Sequence, residues 1–176
     1  MTTQEPTLRD SAASQPTTLP DGGADDLRVV LAVSGTDADR AEPLADAVAD
    51  LAGADLGQVY VTHAFTPEEF ESVSDRLNFD PADPPEPTTV ARRSAAVRKI
   101  GNTLEEALDD PETTIEVRGA VTEDVGEAIV DTASEVDADR VVVGGRKRSP
   151  AGKAVFGSTA QHVLLNAEQP VTFVRD

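Results

Sequence analysis

Short apolar runs alternate along this chain with segments whose apolar residues recur every three or four positions. Residues 27–33, Leu-Arg-Val-Val-Leu-Ala-Val, predict a buried strand. In residues 39–51, Ala41, Leu44, Ala45, Val48, Ala49 and Leu51 follow helical spacing, with Gly53 as a stop signal. Residues 58–65, centred on Val59-Tyr60-Val61, predict a second strand, so the chain opens as a β-α-β unit with a right-handed crossover. Pro67, Pro81, Pro84, Pro85 and Pro87 then break the rhythm, leaving a short helix over 68–77 and an extended loop. A long helix is predicted over 90–108, closed by Pro111, and a short third strand over 113–117. Helix 123–136, strand 139–143, helix 158–167 and strand 170–174 complete the pattern. Alternating β and α elements with apolar strands imply an α/β domain built on a parallel sheet.

Residues 1–26 lack this pattern. They are rich in Thr, Ser, Gln, Pro, Gly and Asp, which predicts a disordered N-terminal tail before a single domain over 27–176. Cysteine is absent, which excludes disulfides and thiol chemistry. No signal sequence or membrane-spanning run is evident, so the expectation is a soluble, cytoplasmic protein with no membrane partner. The formal net charge of −18 argues against nucleic acid as a partner. Lysine is confined to Lys99, Lys147 and Lys153. Abundant Asp and Glu with scarce Lys and few aromatics suit a salt-rich, halophilic cytosol, where the Debye length falls to roughly 3 Å at 1 M salt.

The stretch 140–160 carries the most chemistry. Three valines end in Gly144-Gly145, read as a sharp turn, followed by Arg146, Lys147, Arg148 and Lys153 in a cationic loop. Gly157, Ser158 and Thr159 then open a helix, whose free N–H groups and dipole favour an anion. Other readings fail at named positions. The turn after the first strand, Ser34-Gly35-Thr36, lacks a dinucleotide fingerprint. A phosphate-binding P-loop would need glycine at Lys147 and Ser or Thr at Ala154. No nucleophile elbow exists, neither His63 nor His162 sits in a ligand-spaced motif, and His63 reads as a hydrogen-bonded structural residue. With no base or nucleophile evident, an enzyme is not expected, and no metal site is. Open α/β sheets bind ligands beyond the carboxyl ends of their strands, at a switch point. If the first strand is central, Ser34, Ala64 and 144–147 meet there, faced by 157–159.

These features resemble the universal stress protein family over roughly 27–174. The resemblance rests on the opening strand, His63 after the second strand, Arg140-Val-Val-Val-Gly and the closing Pro170-Val-Thr-Phe-Val. It implies a five-stranded parallel sheet in the order 3-2-1-4-5 with helices on both faces, a Rossmann-like open sandwich. Nucleotide-binding members carry G-x-x-G-x(9)-G-[S/T]; Gly144 and Gly157-Ser158 match at the right spacing, while Lys147 stands at the middle glycine. By the same resemblance Ala32, Val33 and Ala64 line the adenine side, and Gly144, Arg146, Lys147, Gly157, Ser158 and Thr159 approach the ribose and phosphates. Ser34 stands where ATP-binding members have aspartate. Losing a charged acceptor costs about 1.5–3 kcal/mol, a roughly tenfold to hundredfold weakening.

Two functions stay open. One is a stress-response regulator that binds ATP or another adenine nucleotide weakly at the 144–158 loop, with or without Mg2+, and requires no cofactor. The other is a non-nucleotide-binding member acting as a dimeric protein-interaction module with unidentified protein partners. Both imply a homodimer joined through the C-terminal strand.

Overall fold

The structure, a computed structural model, describes residues 26–52, 56–145 and 156–175. Five parallel strands form one sheet in the order β3-β2-β1-β4-β5. They are β1 (Leu27–Ala32), β2 (Leu56–Phe65), β3 (Thr114–Val121), β4 (Arg140–Gly145) and β5 (Val171–Arg175). β1 is central, pairing with β2 from Leu27↔Leu56 to Ala32↔Thr62 and with β4 from Val29↔Arg140 to Ala32↔Val143. A bulge after Leu27 leaves Gly57 out of this register, and a Cβ there would strike Asp26. Asp26 thus lies against the sheet; the rest of the predicted tail, like the stop signal at Gly53, lies outside the described residues.

The side-chain period of two divides the sheet into two apolar layers. Val29, Leu31, Val33, Val59, Val61 and Val142 face α1 (Ala41–Ala52) and α4 (Ala95–Leu108). Val30, Ala32, Tyr60, Val141 and Val143 face α5 (Val125–Glu135) and α6 (Ser158–Asn166). A smaller apolar cluster around Phe65, Val90 and Ala91 anchors α2 (Pro67–Arg76) and α3 (Pro87–Arg93). Three helices begin with side-chain caps: Thr66 in a full capping box, Ser94, and Asp124. Among the described residues no helix is long and apolar enough to cross a membrane.

Three local expectations are corrected. The helix expected over 90–108 is two helices, divided at Ser94, whose backbone is extended (φ −63°, ψ 142°). The Ser94 hydroxyl accepts the Val97 N–H and starts α4 afresh, a local hydrogen bond that competes with helix continuation. β3 runs four residues beyond the expected Val117, through Arg118-Gly119-Ala120-Val121, because His63, Ala64 and Phe65 of β2 supply partners there. Gly144 and Gly145 do not form the turn; they extend β4 and pair with Val174 and Arg175. Their lack of a side chain serves close approach. A Cβ on Gly145 would enter the Phe173 ring, and one on Gly144 would lie 3.2 Å from Arg40 Nη1.

Gly101 is a contrasting glycine. It sits inside α4 with open space where a Cβ would go. Gly101→Ala is therefore expected to stabilise the protein by about 0.5–1 kcal/mol, through the entropy that glycine loses in a helix. Denaturant titration measures it, and a loss of stability would contradict the packing described.

Candidate functional site

The chain runs from β1 to β2 and β3 on one side, then crosses to β4 and β5 on the other, so the topological switch lies between β1 and β4. The structure brings several predicted residues to this place. Ala32 and Val33 end β1, both buried. Val33 N–H donates to the Thr62 carbonyl at 2.9 Å, and Ala64 follows on β2, also buried. Gly144 follows Val143, the residue opposite Ala32 on β4. These small or apolar residues form a floor; Ser34 emerges from it exposed. Ala160, in the first turn of α6, packs into the same apolar layer as Ala32 and Val143. α6 packs on β4 and β5 from this side of the sheet.

Gly157, Ser158 and Thr159 provide that start. Gly157 is the N-cap, in an extended conformation, and having no side chain it cannot cap the helix itself; among the described residues no side chain does so. Like α3, and unlike α2, α4 and α5, α6 has no side-chain acceptor for its first N–H groups among the described residues, which leaves them open to an anion. Among the described residues nothing lies within 4 Å of the position of a Gly157 Cβ. Arg146 and Lys147, with Arg148 and Lys153, lie outside the described residues.

Sequence reasoning missed the ion pair beside this floor. Asp37 and Arg40 occupy a 3-10 turn directly after β1 and are only 3% and 7% exposed. Asp37 Oδ1 lies 2.9 Å from Arg40 Nη2, and Oδ2 accepts the Ser34 backbone N–H at 2.7 Å. The i,i+3 spacing of the pair is visible in the sequence, but its burial is not.

His63 is 4% exposed on β2, its ring 4.1 Å from that of Phe65. Burial lowers its pKa from the usual 6.5, opposed by the charges of Glu69 and Asp37. A histidine whose folded pKa is depressed favours the folded state above 6.5 and loses that contribution as the pH falls below it. The hydrogen bond expected of it is missing at Nδ1, which has no partner among the described residues.

A second concavity, of about 620 Å³, lies between β3 and α5. Glu116, Glu127, Asp131 and Glu135 face Arg92 and Arg118 in its lining. Four carboxylates against two guanidiniums disfavour a phosphate there, so the uncapped helix at the switch point is the better anion site. Among the described residues no group of three or more His, Asp or Glu side chains is arranged to hold a metal ion.

Comparison with known proteins agrees with this architecture. The model of the universal stress protein family matches residues 27–175. A universal stress protein of Mycolicibacterium smegmatis is 36% identical over 72 residues, which are 41% of this chain and 55% of that protein; the match spans about half the relative's length. Two solved structures share the fold. Hypothetical protein MJ0577 has a TM-score of 0.58 at 17% identity, over 87% of this chain and 98% of that one. A universal stress protein in complex with cAMP has a TM-score of 0.55 at 21% identity, over 86% and 98%. With the family model covering the whole described domain and the sheet order the same as the family's, this chain belongs to the universal stress protein family.

Proposed function

We propose that this protein is a stress-response regulator that binds an adenine nucleotide such as ATP at the β1–β4 switch point, by binding rather than by catalysis. The observation that carries this reading is the start of α6, a helix N-terminus with glycine as its N-cap and no side-chain cap among the described residues, whose Ala160 shares an apolar layer with Ala32 and Val143 of the strand ends. Ala32, Val33 and Ala64 suit the flat apolar face of a purine; the N–H groups of 158–160 suit phosphate oxygens. The cAMP complex of a protein with this fold lends support. Calorimetric titration with ATP and AMP at molar KCl, with inorganic phosphate as control, tests it. Saturable binding of a nucleotide is the expected result; heat from none of them would reject it. Gly157→Val meets no described residue and should leave folding intact, yet weaken nucleotide binding at least about tenfold by filling the phosphate's place. Ser158→Ala should have little effect, since the donors there are backbone groups.

A second copy of the chain is the partner this reading includes, joined through β5. β5 ends the sheet, so one side of its backbone has no neighbouring strand among the described residues. Beside it Phe156, 43% exposed, stacks edge-on against Phe173 at 4.6 Å, and Leu165 on α6 is 74% exposed. An antiparallel, two-fold pairing of β5 would cover this edge. The interaction-module reading draws its support from the same surface. Light scattering should give twice the chain's 18.5 kDa, and a monomer mass would reject the pairing. Val174 is unsuited to an interface mutation because it packs in the core against α1; Phe156→Glu is the appropriate change.

A further inference from the structure

At the end of β1 a short chain of polar groups has its proton directions fixed. Asp37 Oδ2 lies 2.8 Å from the Ser34 hydroxyl oxygen while also accepting the Ser34 backbone N–H. A carboxylate has no proton to give, so the Ser34 hydroxyl donates to it. The hydroxyls of Ser34 and Thr36 are 3.0 Å apart. The Ser34 proton is engaged on Asp37, so Thr36 is the donor in that pair. Both protons therefore run inward, toward the buried carboxylate, and one lone pair remains on the hydroxyl oxygen of Ser34, an exposed residue.

We infer that Asp37 is a positioning residue, which holds the Ser34 hydroxyl as a fixed acceptor for an N–H or O–H donor of a nucleoside. The inference rests on the nucleotide reading above and names the polar contact of that site. Asp37 does not reach a ligand itself: it is buried, with one oxygen on Ser34 and the other beside Arg40. Its charge acts through the hydroxyl it polarises. The ion pair also lies against Gly144, since a Cβ there would be 3.4 Å from Asp37 Oδ1, which puts it at the gap between β1 and β4. A free serine hydroxyl donates as readily as it accepts and would serve a phosphate oxygen equally well. One locked in this direction repels phosphate oxygens and selects the nucleoside end of a nucleotide.

The experiment is a double-mutant cycle read by calorimetry with two probes, ATP and inorganic tripolyphosphate. Ser34→Ala, at an exposed position, should weaken ATP about fivefold to tenfold and leave tripolyphosphate unchanged, as loss of one hydrogen bond does. Asp37→Asn should weaken ATP similarly, and the double variant no further, because one residue acts through the other. A merely structural Asp37 would lose affinity for both probes and add to Ser34→Ala. If melting shows that Asp37→Asn does not fold, Ser34→Ala is titrated with purine riboside triphosphate and with 2′,3′-dideoxy-ATP. Its penalty should vanish with whichever analogue lacks the donor; an equal penalty with both overturns the inference. Wild-type protein that binds ATP with Ser34→Ala unchanged overturns the inference alone, whereas wild-type protein that binds no ATP overturns the nucleotide reading beneath it.

Discussion

Gly119→Ala is expected to lower the melting temperature by roughly 6–12 °C, from about 3 kcal/mol of overpacking in a domain of this size. Gly119 lies on the edge strand β3, where α3 begins against it. A Cβ at this position would strike the Pro87 carbonyl group and lie 2.6 Å from the Thr88 nitrogen. Both are backbone atoms at the start of a helix, so no rotamer change relieves the clash. The Gly119 N–H also donates to the Thr88 hydroxyl at 3.0 Å, and a displaced α3 loses that bond as well. Thr88→Ala removes the hydrogen bond without the clash and should cost only about 1 kcal/mol. The comparison with Gly101→Ala, expected to stabilise, separates a glycine required by packing from one that is not. A Gly119→Ala melting temperature within two degrees of the wild type, measured as about the same within error, would mean that α3 is not seated on β3 as described.

The same edge shows why parts of the fold were legible in the sequence and parts were not. β1 and β4 are read directly, because central parallel strands are apolar on both faces and Val29, Val30, Leu31, Val141 and Val142 are fully buried. The second half of β3 lacks that signature. Arg118 is half-exposed beside Glu116, and Gly119 is there for α3, so the strand continues through residues of low strand preference on the strength of its pairing with β2. Ser94 illustrates a different limit. The apolar spacing runs on from Ala91 to Val97, and periodicity does not register one extended residue between two helices. Gly144 and Gly145 resembled a turn because glycine is the usual turn residue; Phe173 and Arg40, distant in sequence, are what demand them. The site was legible to the extent that it consists of strand ends: Ala32, Val33, Ser34, Ala64 and Gly144 do converge. The burial of Asp37 and Arg40 was not legible among 33 acidic and 15 basic residues, since most of those the structure describes are exposed.

Arg40→Met should be the most damaging single change beside the site. Removing one partner of a buried ion pair typically costs about 3–5 kcal/mol, because the other charge is left in a poorly solvating interior. Asp37 would keep its Ser34 hydrogen bonds but lose the guanidinium 2.9 Å away. The melting temperature should fall by roughly 6–20 °C on that basis. Because the pair is 95% and 92% buried at its side chains, molar KCl should restore little of the loss, whereas it would restore surface charge interactions. The double change Asp37→Leu, Arg40→Met removes both charges and fills the space with apolar groups of similar size. It should recover most of the stability, since a well-packed apolar pair is often as stable as a buried ion pair. It leaves the Ser34 N–H without its acceptor, so a remaining deficit of about 1 kcal/mol is expected. If the double variant melted as low as Arg40→Met, the loss would come from the other contacts of the Arg40 side chain and not from an isolated carboxylate. A single Arg40→Met variant melting like the wild type would show that Asp37 does not depend on this partner at all.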